Sequence, residues 1–245
     1  MDQTNIPYIT PQQMFEVDRL MVDVYGIQLV QMMEVAGRQI ARLSLNRFLE
    51  GDPRGKKVLI LAGSGGNGGG ALASARVLHN WGAEVQVVLS KSREAYSGVI
   101  QHQIEILEAM FVPLLGVGDL GKLTKSDLIL DGIIGYSLRG APEGAPAEMI
   151  RWANGQSIPI LALDLPSGLD PTSGEAKKPT IRAAATMTLA LPKIGFRSAS
   201  PDYLGELYLA DIGVPPGLYA SPTLGIAVGP IFHQEEILSL SSPNR

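Results

Sequence analysis

Met14, Val17, Leu20, Met21 and Val24 fall three or four residues apart, which places them on one face of a helix. Thr10, followed by Pro11 and Gln13, reads as the start of that helix. The same spacing over 29–48 predicts a second helix, so two helices precede the first strand. The pattern then changes to an apolar run over 58–62, which empties into Gly63, Gly65, Gly66, Gly68, Gly69 and Gly70 before an alanine-rich helix over 71–81. Downstream, strands are predicted over 84–90, 112–115, 127–131, 158–164, 186–191 and 206–210. Helices are predicted between them over 98–110 and 147–154.

Strands that alternate with helices in this way require right-handed crossovers and a mainly parallel sheet covered on both faces. The fold class predicted is therefore α/β, a Rossmann-like three-layer αβα arrangement preceded by two N-terminal helices. Ligands of such folds gather outside the carboxyl ends of the strands. With 245 residues and 45% hydrophobic content the chain reads as a single domain over 1–245. Its core spans about 9–215, and a stretch without clear pattern from 221 to 245 is taken as a tail or partner-binding extension.

Composition excludes several chemistries. The absence of cysteine removes disulfides, thiolate nucleophiles and sulfur-ligated metals. A net charge of −4 argues against a broad basic surface, so no nucleic-acid partner is expected. The N-terminus lacks the basic and apolar regions of a signal peptide, and no stretch reaches the roughly 18 apolar residues of a membrane span. A cytoplasmic protein without membrane attachment is the expectation. His79, His102 and His233 are scattered without ligand spacing, which gives no support to a zinc site or a Ser/His triad.

The glycine run reads as a ligand cradle, because glycine tolerates positive φ and lets backbone N–H groups approach a ligand at a helix N-terminus. Gly63, Gly65 and Gly68 satisfy the dinucleotide fingerprint, but the acid expected after the next strand is absent. Ser90, Lys91, Ser92 and Arg93 stand there instead. A P-loop is excluded because Gly70 and Ala71 occupy the places of its Lys and Ser/Thr. Two further acids close apolar runs: Asp131 opens the loop GIIGYSLRG, and Asp164 opens LPSGLDP with Ser167 and Asp170. A carboxylate at the end of a buried strand needs a cation, a donor-rich ligand or a helix end.

These segments resemble the NAD(P)H-hydrate epimerases, also called the YjeF N-terminal domain or apolipoprotein A-I-binding-protein family. The likeness rests on ITPQQMFEVDRLMVDVYGIQLVQMMEVAG, AGSGGNGGGALASARVL, DGIIGYSLRG, DLPSGLDPTSGE, LALPKIGF and GELYLADIGVP, and covers about 9–215. The resemblance implies an isomerase of nicotinamide nucleotide repair that epimerises hydrated NADH and NADPH, whose ring carries a hydroxyl at carbon 6 in either configuration. It also implies one potassium ion per subunit, held by Asn67, Asp131 and Ser167. The substrate contacts carried over are Gly66, Asn67, Gly68, Gly69 and Gly70 in the glycine loop, then Gly135, Tyr136, Ser137, Leu138, Arg139, Gly140 and Ala141 in the second loop, and Asp164. Either Asp164 or Asp131 would handle the proton near the carbon-6 hydroxyl. Arg139 and Lys193 are the expected partners of ligand phosphate or carboxylate.

The chain departs from the family pattern at Gly66 and Gly70, where the family reads NNGGDG, and at Val35, where it commonly has Asn. The alternative is therefore a catalytically silent nucleotide-binding or scaffolding member. Homodimerisation and a separate NAD(P)H-hydrate dehydratase acting in the same pathway are the implied partnerships.

Overall fold

The computed structural model describes residues 6–123 and 125–240. Two helices come first: α1 (Pro11–Asp23) and α2 (Leu29–Arg47). There follow β1 (Lys57–Ala62), α3 (Gly66–Asn80), β2 (Glu84–Leu89), α4 (Gly98–Ala109), β3 (Leu114–Gly116) and β4 (Leu128–Gly132). The chain continues through α5 (Gly144–Asn154), β5 (Ile160–Leu163), β6 (Ala185–Leu189), α6 (Pro201–Leu204), β7 (Glu206–Ala210), α7 (Pro216–Tyr219) and β8 (Ile237–Ser239).

The strands form one sheet in the order β3-β2-β1-β4-β5-β6-β7-β8, parallel throughout except for β8, which runs antiparallel to β7. Alternation along β1 shows how both faces are covered. Val58, Ile60 and Ala62 pack with Ile40 of α2, Leu72 and Ala75 of α3 and Ile104 of α4. Leu59 and Leu61 pack on the other side with Met149, Ile150 and Ala153 of α5. Strands buried on both faces read as continuous apolar runs for this reason.

Chain order reverses between β1 and β4, whose register pairs Leu61 with Asp131 and Ala62 with Gly132. A crevice opens at such a switch point, outside the carboxyl ends of the strands. Thr10 caps α1 as the sequence predicts: its Oγ1 accepts from Gln13 N at 3.2 Å, and Gln13 Oε1 accepts from Thr10 N at 2.9 Å. Ile9 is tied to the loop after β6, donating to Pro192 O and accepting from Ile194 N, each at 2.9 Å. That bridge sets α1 over the crevice.

Two expectations are corrected. The residues from Ser221 onward are not a patternless tail, because Leu224 joins the core under α1 and Ile237–Ser239 extends the sheet as β8; 241–245 lie outside the described residues. The glycine run is not a long turn either. Gly66 to Gly70 form the first turns of α3, and none of the six glycines has positive φ. Their role is close approach: a Cβ on Gly63 would lie 1.8 Å from Ile133 O, one on Gly68 2.0 Å from Gly63 O, and one on Gly69 2.4 Å from Met33 Sδ. Among the described residues no helix is long and apolar enough to cross a membrane.

Candidate active site

A cleft of about 560 Å³ lies at the carboxyl edge of the sheet, within the range of small-molecule sites. Its floor comes from the loops after β1, β2, β4 and β5. Its roof comes from Met14, Phe15 and Asp18 of α1 and from Leu29, Met32 and Met33 of α2. Gly66, Asn67 and Gly70 line it, as expected for the glycine segment, whereas Gly68 and Gly69 are buried in helix and strand packing. Gly135, Tyr136 and Ser137 line it too. Leu138, Arg139, Gly140 and Ala141 lie beyond the lining, with Arg139 exposed to solvent.

Asp164 stands at the end of β5 and faces the cleft, yet it is only 2% exposed. Its φ of 68° is left-handed, a strained geometry that Asp tolerates better than most residues and that turns its carboxylate out of the strand. Oδ1 accepts from Lys193 Nζ, from Leu189 N at 3.2 Å and from Thr188 Oγ1 at 3.4 Å. Lys193, expected to face the ligand, lies behind Asp164 instead. Fully buried, it donates to Asp164 and to the carbonyls of Leu189 at 3.0 Å and Leu191 at 3.3 Å, and it does not line the cleft.

Asp131 is buried beneath the floor. Its Oδ1 accepts from Ser167 Oγ at 2.6 Å and Ile133 N at 3.1 Å, and its Oδ2 accepts from Ser167 N at 2.8 Å. Burial pushes its carboxyl up to about 6, against the pull of those bonds. Of the two acids left open by the sequence, only Asp164 reaches the cleft. Asn67 flanks the same loop: its Nδ2 donates to Leu163 O at 2.8 Å, and a Cβ on Gly135 would lie 2.9 Å from its Oδ1. Asp131 and Ser167 thus bond directly, and Asn67 flanks the same loop at Gly135. Asp170, by contrast, closes a turn, accepting from Thr172 N and Ser173 N at 2.9 Å each.

Sequence reasoning missed Asp18. On an amphipathic helix it reads as an ordinary solvent-side acid, and only the tie between Ile9 and the loop after β6 brings it to the cleft. Tyr136 Oη donates to its Oδ2, and the Tyr136 ring meets Phe15 edge-on at 4.9 Å. Burial raises the pKa of Asp18 and of Tyr136 alike.

The family profile described as YjeF-related protein N-terminus matches residues 29–195, about two thirds of the chain. The chain belongs to this family. An NAD(P)H-hydrate epimerase of Dehalogenimonas lykanthroporepellens is 44% identical over 216 residues, covering 86% of this chain and 84% of the relative. One from Rhodopirellula baltica is 34% identical over 214 residues, covering 86% of each. A bifunctional NAD(P)H-hydrate repair enzyme from Moorella thermoacetica is 37% identical over 87% of this chain, which spans 42% of that longer protein. The crystal structure of yeast YNL200c superposes with a TM-score of 0.80 at 26% identity, covering 96% of this chain and all of that one. Of the three positions where the sequence was expected to depart from the family pattern, Gly66 and Gly70 fall on the cleft wall. Val35, 36% exposed on α2, lies outside the lining.

Proposed function

We propose that this protein is an NAD(P)H-hydrate epimerase that interconverts the two carbon-6 epimers of hydrated NADH and NADPH. The observation that supports this most is Asp164, a carboxylate held by a buried lysine and presented to a cleft of nucleotide-binding topology, in a chain 44% identical to a protein of that name. Inversion at carbon 6 moves no hydride. It requires a proton for the departing hydroxyl and a base for the incoming water, and Asp164 serves as one of these groups.

Asn67, Asp131 and Ser167 suit a monovalent cation. Each has a side-chain oxygen, they meet at one loop, and Asp131 carries a buried carboxylate that a positive charge would relieve. We propose one potassium ion there. When bound it supplies positive charge under the cleft floor. Asp131 and Ser167 fix the loop carrying Gly135 and Tyr136, Gly66 and Asn67 present the N-terminus of α3 to the ligand, and α1 and α2 exclude water. In this reading the protein is cytoplasmic, works as a homodimer and shares its pathway with a dehydratase.

The test is to supply purified protein with one hydrate epimer and follow its equilibration by epimer-resolving chromatography in potassium and in sodium buffers. Equilibration well above the spontaneous rate, faster in potassium, supports both parts of the reading. Tight hydrate binding without acceleration would favour a silent nucleotide-binding member.

A further inference from the structure

Inversion at carbon 6 needs proton traffic on both faces of the ring. A single carboxylate on one face cannot reach water arriving at the other. Asp131 is unavailable, being spent on Ser167 and Ile133 beneath the floor. The second acid lining the cleft is Asp18, which stands outside the stretch matched by the family profile. Tyr136 engages one of its carboxylate oxygens, and among the described residues the other takes no hydrogen bond.

We propose that Asp18, held by Tyr136, is the second acid–base group of this site and works with Asp164 on the two faces of the ring. The inference rests on the epimerase reading. In the first half, the carbon-6 to oxygen bond breaks with its electron pair on oxygen, Asp18 supplies a proton, and water departs. The lone pair of the ring nitrogen then forms a C=N⁺ bond to carbon 6. In the second half, water adds to the opposite face, the C=N π pair returns to nitrogen, and the surplus proton passes to Asp164. No oxidant is needed, and one proton has moved from Asp18 to Asp164. Turnover in the reverse sense, or exchange with solvent, resets the pair.

The surroundings suit these starting states. Asp164 forms its ion pair with Lys193 and faces the cleft, placed to accept a proton. Burial raises Asp18, as does the nearby charge of Asp164, while Tyr136 and Lys193 act in the other direction. Tyr219 of α7 also lies within electrostatic range of Asp18. Groups whose environments differ in this way can divide acid and base roles.

The experiment compares wild type, Asp18→Asn and Tyr136→Phe, with thermal unfolding as a check on folding. Asp18→Asn keeps an oxygen for Tyr136 and removes the titrating proton. The expected result is a kcat lower by on the order of 10² to 10⁴ with KM little changed, and loss of the alkaline limb of the rate profile. Tyr136→Phe should move that limb to higher pH. An Asp18→Asn enzyme of wild-type kcat overturns the proposal. So do variants that both raise KM alike at intact kcat, because Asp18 would then merely anchor the loop. A wild type that fails to accelerate equilibration overturns the epimerase reading, and this one with it.

Discussion

Lys193 Nζ and Asp164 Oδ1 form an ion pair whose side chains are 0% and 3% exposed, directly behind the cleft. Desolvating both ions is offset only while each retains the other, so truncating one leaves a bare charge in the core. Lys193→Met should destabilise the fold by roughly 3–5 kcal/mol. Removing the stranded charge as well, in Asp164→Asn/Lys193→Met, should restore a large part of that loss. Denaturant unfolding of the two variants checks this, and a single variant as stable as wild type would contradict the pairing.

The glycines make a sharper structural prediction. Gly68→Ala would push a methyl to 2.0 Å from Gly63 O, where backbone faces backbone, and should abolish folding or lower Tm severely. Gly66→Ala meets nothing within 4 Å and lies in the first turn of α3. It should stabilise the protein by about 0.4–1 kcal/mol while intruding on the cleft and weakening hydrate binding. Paired melting and binding measurements separate the two positions.

Both glycines look alike in sequence, and this shows where legibility ends. The apolar runs ending in Asp131 and Asp164 revealed the parallel sheet and its functional edge, because buried parallel strands carry an uninterrupted signal. That Gly63 and Gly68 serve backbone contact rather than a wide turn depends on how closely the end of β1 approaches the loop after β4 and the start of α3, which no local pattern encodes. Lys193 reads as a ligand-facing lysine from its loop, and nothing local says that the fold buries it against Asp164. Asp18 reads as a surface acid until Ile9 pairs beside Lys193 and swings α1 over the cleft. The strand Ile237–Ser239 is too short for alternation to declare itself, and it forms because β7 offers a free edge.

Asp131 gives the fold a pH signature. Its carboxyl titrates at about 6 in the folded protein, above the ordinary 3.8, so the native state holds its proton more tightly than the unfolded chain. Its contribution to stability is complete below about pH 4 and is lost as pH rises through 6, a change of about 3 kcal/mol. The difference in unfolding free energy between wild type and Asp131→Asn, followed from pH 4 to pH 8, isolates this from other acids such as Glu16, whose pKa is lowered by its hydrogen bond to Arg19.

A cation bound beside ionised Asp131 should reverse that loss. Potassium should raise the Tm of wild type at pH 8 more than at pH 4, and more than sodium does. Asp131→Asn should show no such difference. Equal response of the two proteins to potassium would place the ion elsewhere.

The most direct measurement of the central claim is the rate at which wild type and Asp164→Asn equilibrate one pure epimer of hydrated NADPH, read beside the affinity of each for it. The account predicts rapid equilibration by wild type and a rate lower by on the order of 10² to 10⁴ in the variant, with binding largely retained. Equal rates in the two proteins would contradict it.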